Sequence, residues 1–169
     1  MTPNSQYHND LPRFVAEEFV EGNFLGLPSR DDDIDVVVLQ VPYELTTSYG
    51  QGTAQGPAAC VAASGQVELF DPIIGEDLPA GYNIHTAPEW DGEGSTLQQQ
   101  LSGISKYLKE WNNGKTFPVI LGGEHGILPA VIDSLAEHPT IAGDYSKLNI
   151  VQIDAHADLR EELDGEPFS

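Results

Sequence analysis

Basic residues are scarce in this 169-residue sequence, which has seven Lys and Arg but 27 Asp and Glu. The formal net charge is −20. Binding to nucleic acid or to an anionic membrane needs a cationic surface, so we expect neither as a partner. A cationic small molecule, in contrast, would be attracted by the electric field of such a protein.

Cysteine and long apolar runs are also scarce. The only cysteine, Cys60, excludes an intrachain disulfide and, in an Ala-rich segment, is expected to be a small core residue. No stretch approaches the roughly 20 apolar residues of a membrane span, and the N-terminus lacks the order of a secretory signal. We therefore expect a cytoplasmic protein with a single globular domain.

Apolar runs alternate with helical periodicity along the chain. Continuous apolar runs predict strands over residues 34–41, 116–121 and 149–153, with a further short strand around 82–84. Helices are predicted after Pro57 up to Gly65, over 95–111 and over 127–135. Strands that are apolar throughout indicate a parallel sheet covered on both faces. The expected fold is a three-layer α/β/α domain with a mainly parallel sheet, formed by residues 31–169 and preceded by an arm over residues 1–30.

Two groups of polar residues follow predicted strands. Asp154, His156 and Asp158 come at alternate positions after one strand, and His125 follows Gly122-Gly123 after another. Right-handed crossovers place the carboxyl ends of parallel strands at one edge of the sheet, so the two groups are expected to meet there.

This set of side chains predicts a metal site. Nitrogen and oxygen ligands without thiolate suit Mn²⁺, Fe²⁺ or Zn²⁺, and a set rich in carboxylates favours Mn²⁺. Asp154 is the best placed to bridge two ions. A His after Gly-Gly is by itself usually a turn residue, so the prediction depends on both groups together. Glu124 is either a group that supports His125 or simply an acid in a turn.

Two of these motifs carry a family resemblance. The segments 121–125 (Leu-Gly-Gly-Glu-His) and 153–158 (Ile-Asp-Ala-His-Ala-Asp) resemble the first two signatures of the ureohydrolase family of arginases and agmatinases. The loop 52–57 and residues 64–71 are similar to the N-terminal region of that family. The resemblance implies an arginase-like fold that is incomplete at the C-terminus, and hydrolysis of a guanidinium group to urea and an amine.

The resemblance also implies a ligand set. His125, Asp154 and Asp158 would bind one Mn²⁺, and Asp154 and His156 a second, with Asp154 bridging the two ions and holding a hydroxide between them. In arginases an Asn two residues after the last ligand contacts the α-carboxylate of the substrate, whereas this chain has Arg160. Agmatine, which lacks that carboxylate, is therefore the expected substrate and putrescine the product, a step of polyamine biosynthesis. Arg160 has an alternative role as a structural ion-pair partner of the neighbouring glutamates.

The sequence departs from the family pattern in three ways. Gly126 replaces the usual Ser, and the two further Asp ligands and the proton-shuttling His are not found in their places. The segment Ser29–Asp33 has the spacing of the late ligands but precedes the first strand, so we reject it. We therefore expect the N-terminal part of a longer enzyme, inactive by itself and homo-oligomeric when complete, with the missing groups beyond Ser169. The alternatives are a short, non-catalytic metal-binding homologue, or arginase, guanidinobutyrase or formimidoylglutamase activity.

Overall fold

The computed structural model describes residues 18–47, 49–92, 94–158, 162 and 165. Of the predicted N-terminal arm, the described part packs against the sheet domain. A 3₁₀ turn over Phe24–Gly26 is held there because Leu25 N–H donates to Ser64 Oγ at 2.7 Å, and Leu27 is buried. Residues 1–17 of the arm lie outside the described residues. None of the helices in the described ranges is both long and apolar enough to cross a membrane.

The main sheet is parallel, as predicted. Its strands are β1 (Val36–Val41), β4 (Ile84–Thr86) and β5 (Phe117–Gly122), in the order β4-β1-β5. A separate two-stranded antiparallel hairpin consists of β2 (Phe70–Asp71) and β3 (Glu76–Asp77). Strand β1 is central and its residues from Val37 onward are buried, which is why the sequence shows it as a continuous apolar run.

Three helices accompany the sheet: α1 (Gly56–Ser64), α2 (Leu97–Lys109) and α3 (Leu128–Ser134). The hydroxyl of Thr96 caps α2 by accepting the N–H of Gln99, and Ile104 and Leu108 of α2 are fully buried. Helix α1 ends at Ser64, directly before the Gly65 that was predicted to end it, but Cys60 is exposed on it. The expectation that Cys60 is a core residue is therefore wrong, because this residue faces solvent from a helix that buries only one side.

The core lies on both faces of β1. Alternate residues of a strand point to opposite faces. Residues 37, 39 and 41 form one cluster with buried side chains of α2 and α3, while α1 contacts β1 and β5 outside that cluster. The three-layer α/β/α prediction is therefore confirmed.

The predicted strand over residues 149–153 is wrong. These residues are not paired with the sheet, and the side chains of Val151 and Ile153 are 87% and 98% exposed. The third parallel strand is instead β4, close to the short strand predicted around residues 82–84. A strand buried on both faces needs helices over both faces, and among the described residues after 153 no helix follows to supply them.

The acidic run over residues 31–33 lies at the amino ends of the strands. The buried Asn83 holds it there, because its amide group donates to the carbonyls of Arg30, Asp32 and Asp33. The polar residues that follow β5 lie at the opposite, carboxyl edge. The acidic run is therefore far along the strands from His125, in agreement with its rejection as a ligand set.

Candidate metal centre

His125 is placed by the end of β5. Strands β1 and β5 end side by side, with Val41 opposite Gly122. After Gly122 the chain runs through two residues into a 3₁₀ turn, His125–Ile127, which continues directly into α3. Pro129 is accommodated because it falls in the first turn of α3, where no helical N–H is required. His125 therefore stands at the carboxyl edge of the sheet, as the strand order requires.

Gly123 lets the loop after β5 approach the loop after β1. A Cβ atom at Gly123 would lie 2.0 Å from the carbonyl oxygen of Tyr43. The N–H of Gly123 donates to the Val41 carbonyl at 3.0 Å, and the N–H of Glu124 donates to that of Tyr43 at 2.9 Å. The two loops are thus joined backbone to backbone, and only glycine fits at residue 123.

The Glu124 side chain adds a second connection between these loops. Its carboxylate is buried and accepts the backbone N–H of Thr46 at 2.9 Å and the Thr46 hydroxyl at 2.9 Å. The sequence left Glu124 as a support for His125 or an acid in a turn, and Thr46 was not singled out. No sequence signal pairs residues 78 positions apart, so this contact needed the structure.

Glu44 orders the other end of the same loop. Its carboxylate accepts the N–H groups of Gly52 at 2.8 Å and Ala54 at 2.9 Å. These bonds stabilise the ionised form and lower the pKa of Glu44, with the Ala54 N–H the larger contributor. The loop between β1 and α1 is therefore held by a glutamate at each of two points, Glu44 and Glu124.

The segment 154–158 folds back on itself. The N–H of His156 donates to Asp154 Oδ1 at 2.8 Å, and Asp158 has a left-handed backbone with φ of 53°. The Gln152 amide donates to the carbonyl of His156 at 3.2 Å and to Asp158 Oδ2 at 3.3 Å. This tight loop brings the two carboxylates to the same side.

His125, Asp154 and Asp158 converge. The Nδ1 atom of His125 lies 3.5 Å from Asp154 Oδ2 and 3.3 Å from Asp158 Oδ2, and the three ligand atoms lie within 4.8 Å of one another. His156 is not in this group, but its Nδ1 lies 3.8 Å from the other oxygen of Asp154, Oδ1. The two carboxylate oxygens of Asp154 therefore face two different imidazoles.

The electrostatics of the cluster favour ionised Asp154. The hydrogen bond from the His156 N–H lowers the pKa of the Asp154 carboxyl, and the imidazoles of His125 and His156 act in the same direction. An ionised carboxylate is the form that binds a cation.

The two distances around His125 Nδ1 are close to those between ligands of one divalent metal ion. Ligand bonds of about 2.1 Å place neighbouring ligand atoms about 3.0 to 3.4 Å apart in octahedral or tetrahedral geometry. The observed separations of 3.3 and 3.5 Å around His125 Nδ1 are close to this range. The side chain of His125 is 73% exposed, so the cluster is open to a molecule from solution.

Two further described histidines, His85 and His138, lie away from this cluster. Arg160, predicted to contact substrate, falls outside the described residues, as does His8. The imidazole of His85 stacks on Trp111 with 5.5 Å between ring centroids, and Nδ1 of His138 accepts the N–H of Thr140 at 3.2 Å. Neither of these two described histidines takes part in the cluster.

A His and carboxylate cluster at the carboxyl edge of a parallel sheet defines an α/β protein with a candidate metal centre. Residues 34–169 match the arginase family, so the chain belongs to this generally metal-dependent family. It is 34% identical to an N(1)-aminopropylagmatine ureohydrolase from Synechocystis over 79% of this chain, and 30% identical to an agmatinase from Bacillus anthracis over 82%. The chain spans about half the length of these curated relatives, 43% and 45% respectively.

Solved structures share the fold. The agmatine ureohydrolase of Thermoplasma volcanium superposes with a TM-score of 0.63 at 20% identity, over 92% of this chain and 48% of that one. The formimidoylglutamase of Bacillus subtilis superposes with a TM-score of 0.60 at 16% identity, over 82% of this chain and 41% of that one. The described part of the chain is therefore an arginase-like α/β fold.

Proposed function

We propose that the complete protein is a manganese-dependent amidinohydrolase that cleaves a guanidinium substrate to urea and an amine. Residues 31–169 contribute the first part of its single catalytic domain, and residues 1–30 an N-terminal arm. In this proposal His125, Asp154 and Asp158 hold one Mn²⁺, and Asp154 with His156 holds a second. The remaining ligands and a proton-shuttling His come from residues after Ser169.

The observation that carries the proposal is the convergence of His125 with Asp154 and Asp158 at the carboxyl edge of the sheet. A guanidinium is resonance-stabilised and therefore a poor electrophile. When bound, divalent ions supply hydroxide at neutral pH by lowering the pKa of water. The role of this chain is to favour the ionised form of Asp154, whose pKa is lowered chiefly by the His156 N–H, and to direct its two oxygens to different imidazoles.

Agmatine is the leading substrate, with putrescine as product. The acidic chain, with a formal charge of −20, favours the approach of a cationic guanidino amine. N(1)-aminopropylagmatine is a second candidate, because the relative named for it is 34% identical whereas the agmatinase from Bacillus anthracis is 30% identical. Both molecules lack the α-carboxylate of arginine. We propose Arg160 as a substrate contact on the basis of its place two residues after Asp158.

The test is product release by the full-length product of the gene, loaded with Mn²⁺. Agmatine, N(1)-aminopropylagmatine, arginine and guanidinobutyrate are compared by urea release, and formimidoylglutamate by formamide release. We expect urea from agmatine or its aminopropyl derivative at a kcat/KM well above that for arginine. Release of no product from any of the five compounds overturns the proposal. If Mn²⁺ still binds in that case, the result favours the alternative of a non-catalytic metal-binding homologue.

The setting of the enzyme is part of the proposal. We propose a homo-oligomer in the cytoplasm, with the small guanidinium substrate as its partner. Sedimentation of the full-length protein tests the oligomer, since a single species at the mass of one chain overturns it. Fractionation of the source cells tests the location.

A further inference from the structure

We propose that Glu124 is a positioning residue for His125, because it clamps the loop after β1 against the loop after β5. The inference rests on the proposed function, since it concerns how the same metal centre is held. Glu124 is not one of the three grouped candidate ligands, because its carboxylate contacts Thr46 on the other loop.

Glu124 is buried but hydrogen-bonded. Its residue surface is only 8% exposed, and burying an ionised carboxylate costs free energy unless hydrogen bonds replace its water. Thr46 replaces that water with two donors, its backbone N–H and its hydroxyl. Bonds between a donor and an ionised acceptor are stronger than neutral ones, so the contact fixes both loops.

His125, in contrast, is largely exposed to solvent. A ligand whose side chain is 73% exposed has few packing contacts to hold it, so its place depends on its backbone. The preceding residue, Glu124, is extended, with φ of −79° and ψ of 151°, and is attached at two points, its N–H to Tyr43 and its carboxylate to Thr46. These attachments fix the backbone from which His125 projects toward Asp154 and Asp158.

Hydrogen bonds and burial hold the described part of the loop after β1 on both sides of Thr46. Glu44 bonds to Gly52 and Ala54 at its far end, where the chain enters α1. Tyr43 is fully buried at its near end. Thr46 therefore lies between two held positions of the loop. Its hydrogen bonds to Glu124 consequently limit the movement of Glu124.

A purely structural role would give a different result, so the experiment measures metal affinity and stability separately. The full-length gene product is prepared with Glu124→Ala, Glu124→Gln, Thr46→Val and Thr46→Ser. Free Mn²⁺ is followed by electron paramagnetic resonance during titration, and Tm is measured without metal. Asn83→Ala is the control, because Asn83 is equally buried and hydrogen-bonded but lies at the opposite edge of the sheet.

We expect Glu124→Ala to raise the Kd for Mn²⁺ about tenfold, the size seen when partners that orient metal ligands are removed. Glu124→Gln should raise it less, because one acceptor oxygen remains for Thr46. Thr46→Val should raise it and Thr46→Ser restore it, since Ser keeps the hydroxyl donor. Asn83→Ala should lower Tm and leave the Kd unchanged.

Two results overturn the inference: a Kd that stays at the wild-type value in Glu124→Ala and Thr46→Val, or a Kd that rises as much in Asn83→Ala. If Glu124→Ala does not fold, the Thr46 pair decides. The titration needs no substrate, so a protein that binds Mn²⁺ but releases no urea contradicts the proposed function alone. A wild-type protein that binds no Mn²⁺ contradicts both.

Discussion

At the scale of single residues, groups that are not candidate ligands hold the loops beside the candidate metal centre. Gly123 admits the backbone of Tyr43, while Glu44 and Glu124 hold the loop after β1. The convergence of His125 with Asp154 and Asp158 could be anticipated from the sequence because each motif follows an apolar run, although the run before Asp154 is not a strand. Their supports could not, because Glu-to-Thr and Glu-to-backbone contacts leave no pattern in the order of residues.

Replacing Gly123 by Ala should destabilise the chain. The new Cβ would lie 2.0 Å from the Tyr43 carbonyl oxygen, so the two loops must separate. The expected loss is about 1 to 3 kcal/mol of unfolding free energy, the usual cost of overpacking. Urea unfolding measures it. Gly56→Ala is the control, since its Cβ meets only ordinary contact at 3.7 Å in a helix, and an equal loss there would refute the steric explanation.

The pH dependence of stability should include a contribution from the ionisation of Glu44. Its pKa is lowered in the folded chain by the Ala54 and Gly52 N–H groups, whereas the unfolded chain has the ordinary value of 4.5. A lowered pKa contributes stability above the unfolded value, and this stability is lost as pH falls through the folded value. The stability difference between wild type and Glu44→Gln should therefore be constant from pH 7 to 5.5 and shrink below 4.5. Urea midpoints measure it, and a difference that persists unchanged at pH 3.5 would contradict the assignment.

At the scale of elements, the sequence predicted what depends on local periodicity and buried composition. The period of α2 and the apolar runs of β1 and β5 are such features, and all three elements are present. The strand prediction over residues 149–153 was wrong because an apolar run shows only that a segment is suited to burial. Whether a neighbouring strand and helices cover it is decided by residues elsewhere.

Replacing Ile153 by Ser tests the placement of that segment. In the chain of 169 residues, Ile153 is 98% exposed, so we expect a change within about 0.5 kcal/mol in unfolding free energy. Leu39→Ala is the control, because Leu39 is fully buried in β1 and its truncation should cost about 2 to 5 kcal/mol. Urea unfolding of the same chain compares them. A loss of more than about 1 kcal/mol for Ile153→Ser would mean that residue 153 is buried.

At the scale of the whole molecule, the excess of negative charge should limit stability. A formal charge of −20 on 169 residues is repulsive, and the Debye length falls from about 30 Å at 0.01 M to about 3 Å at 1 M salt. We therefore expect Tm to rise with NaCl concentration over this range, and to rise equally with KCl, because screening does not distinguish the two cations. A constant or falling Tm would show that repulsion is not a significant term.

The central claim is that Asp154 joins two metal-binding groups in a hydrolase of guanidinium compounds. The most direct test is urea release from agmatine by the full-length protein with Mn²⁺, comparing wild type with Asp154→Asn. Asp144→Asn is the matched control, since Asp144 is exposed and its side chain contacts Ser146 and Lys147, both within the 3₁₀ turn over Tyr145–Lys147. We predict release by wild type and by the control, and a loss of at least about 100-fold in Asp154→Asn, above the effect of groups that only orient a ligand. Equal urea release by wild type and Asp154→Asn would contradict the account.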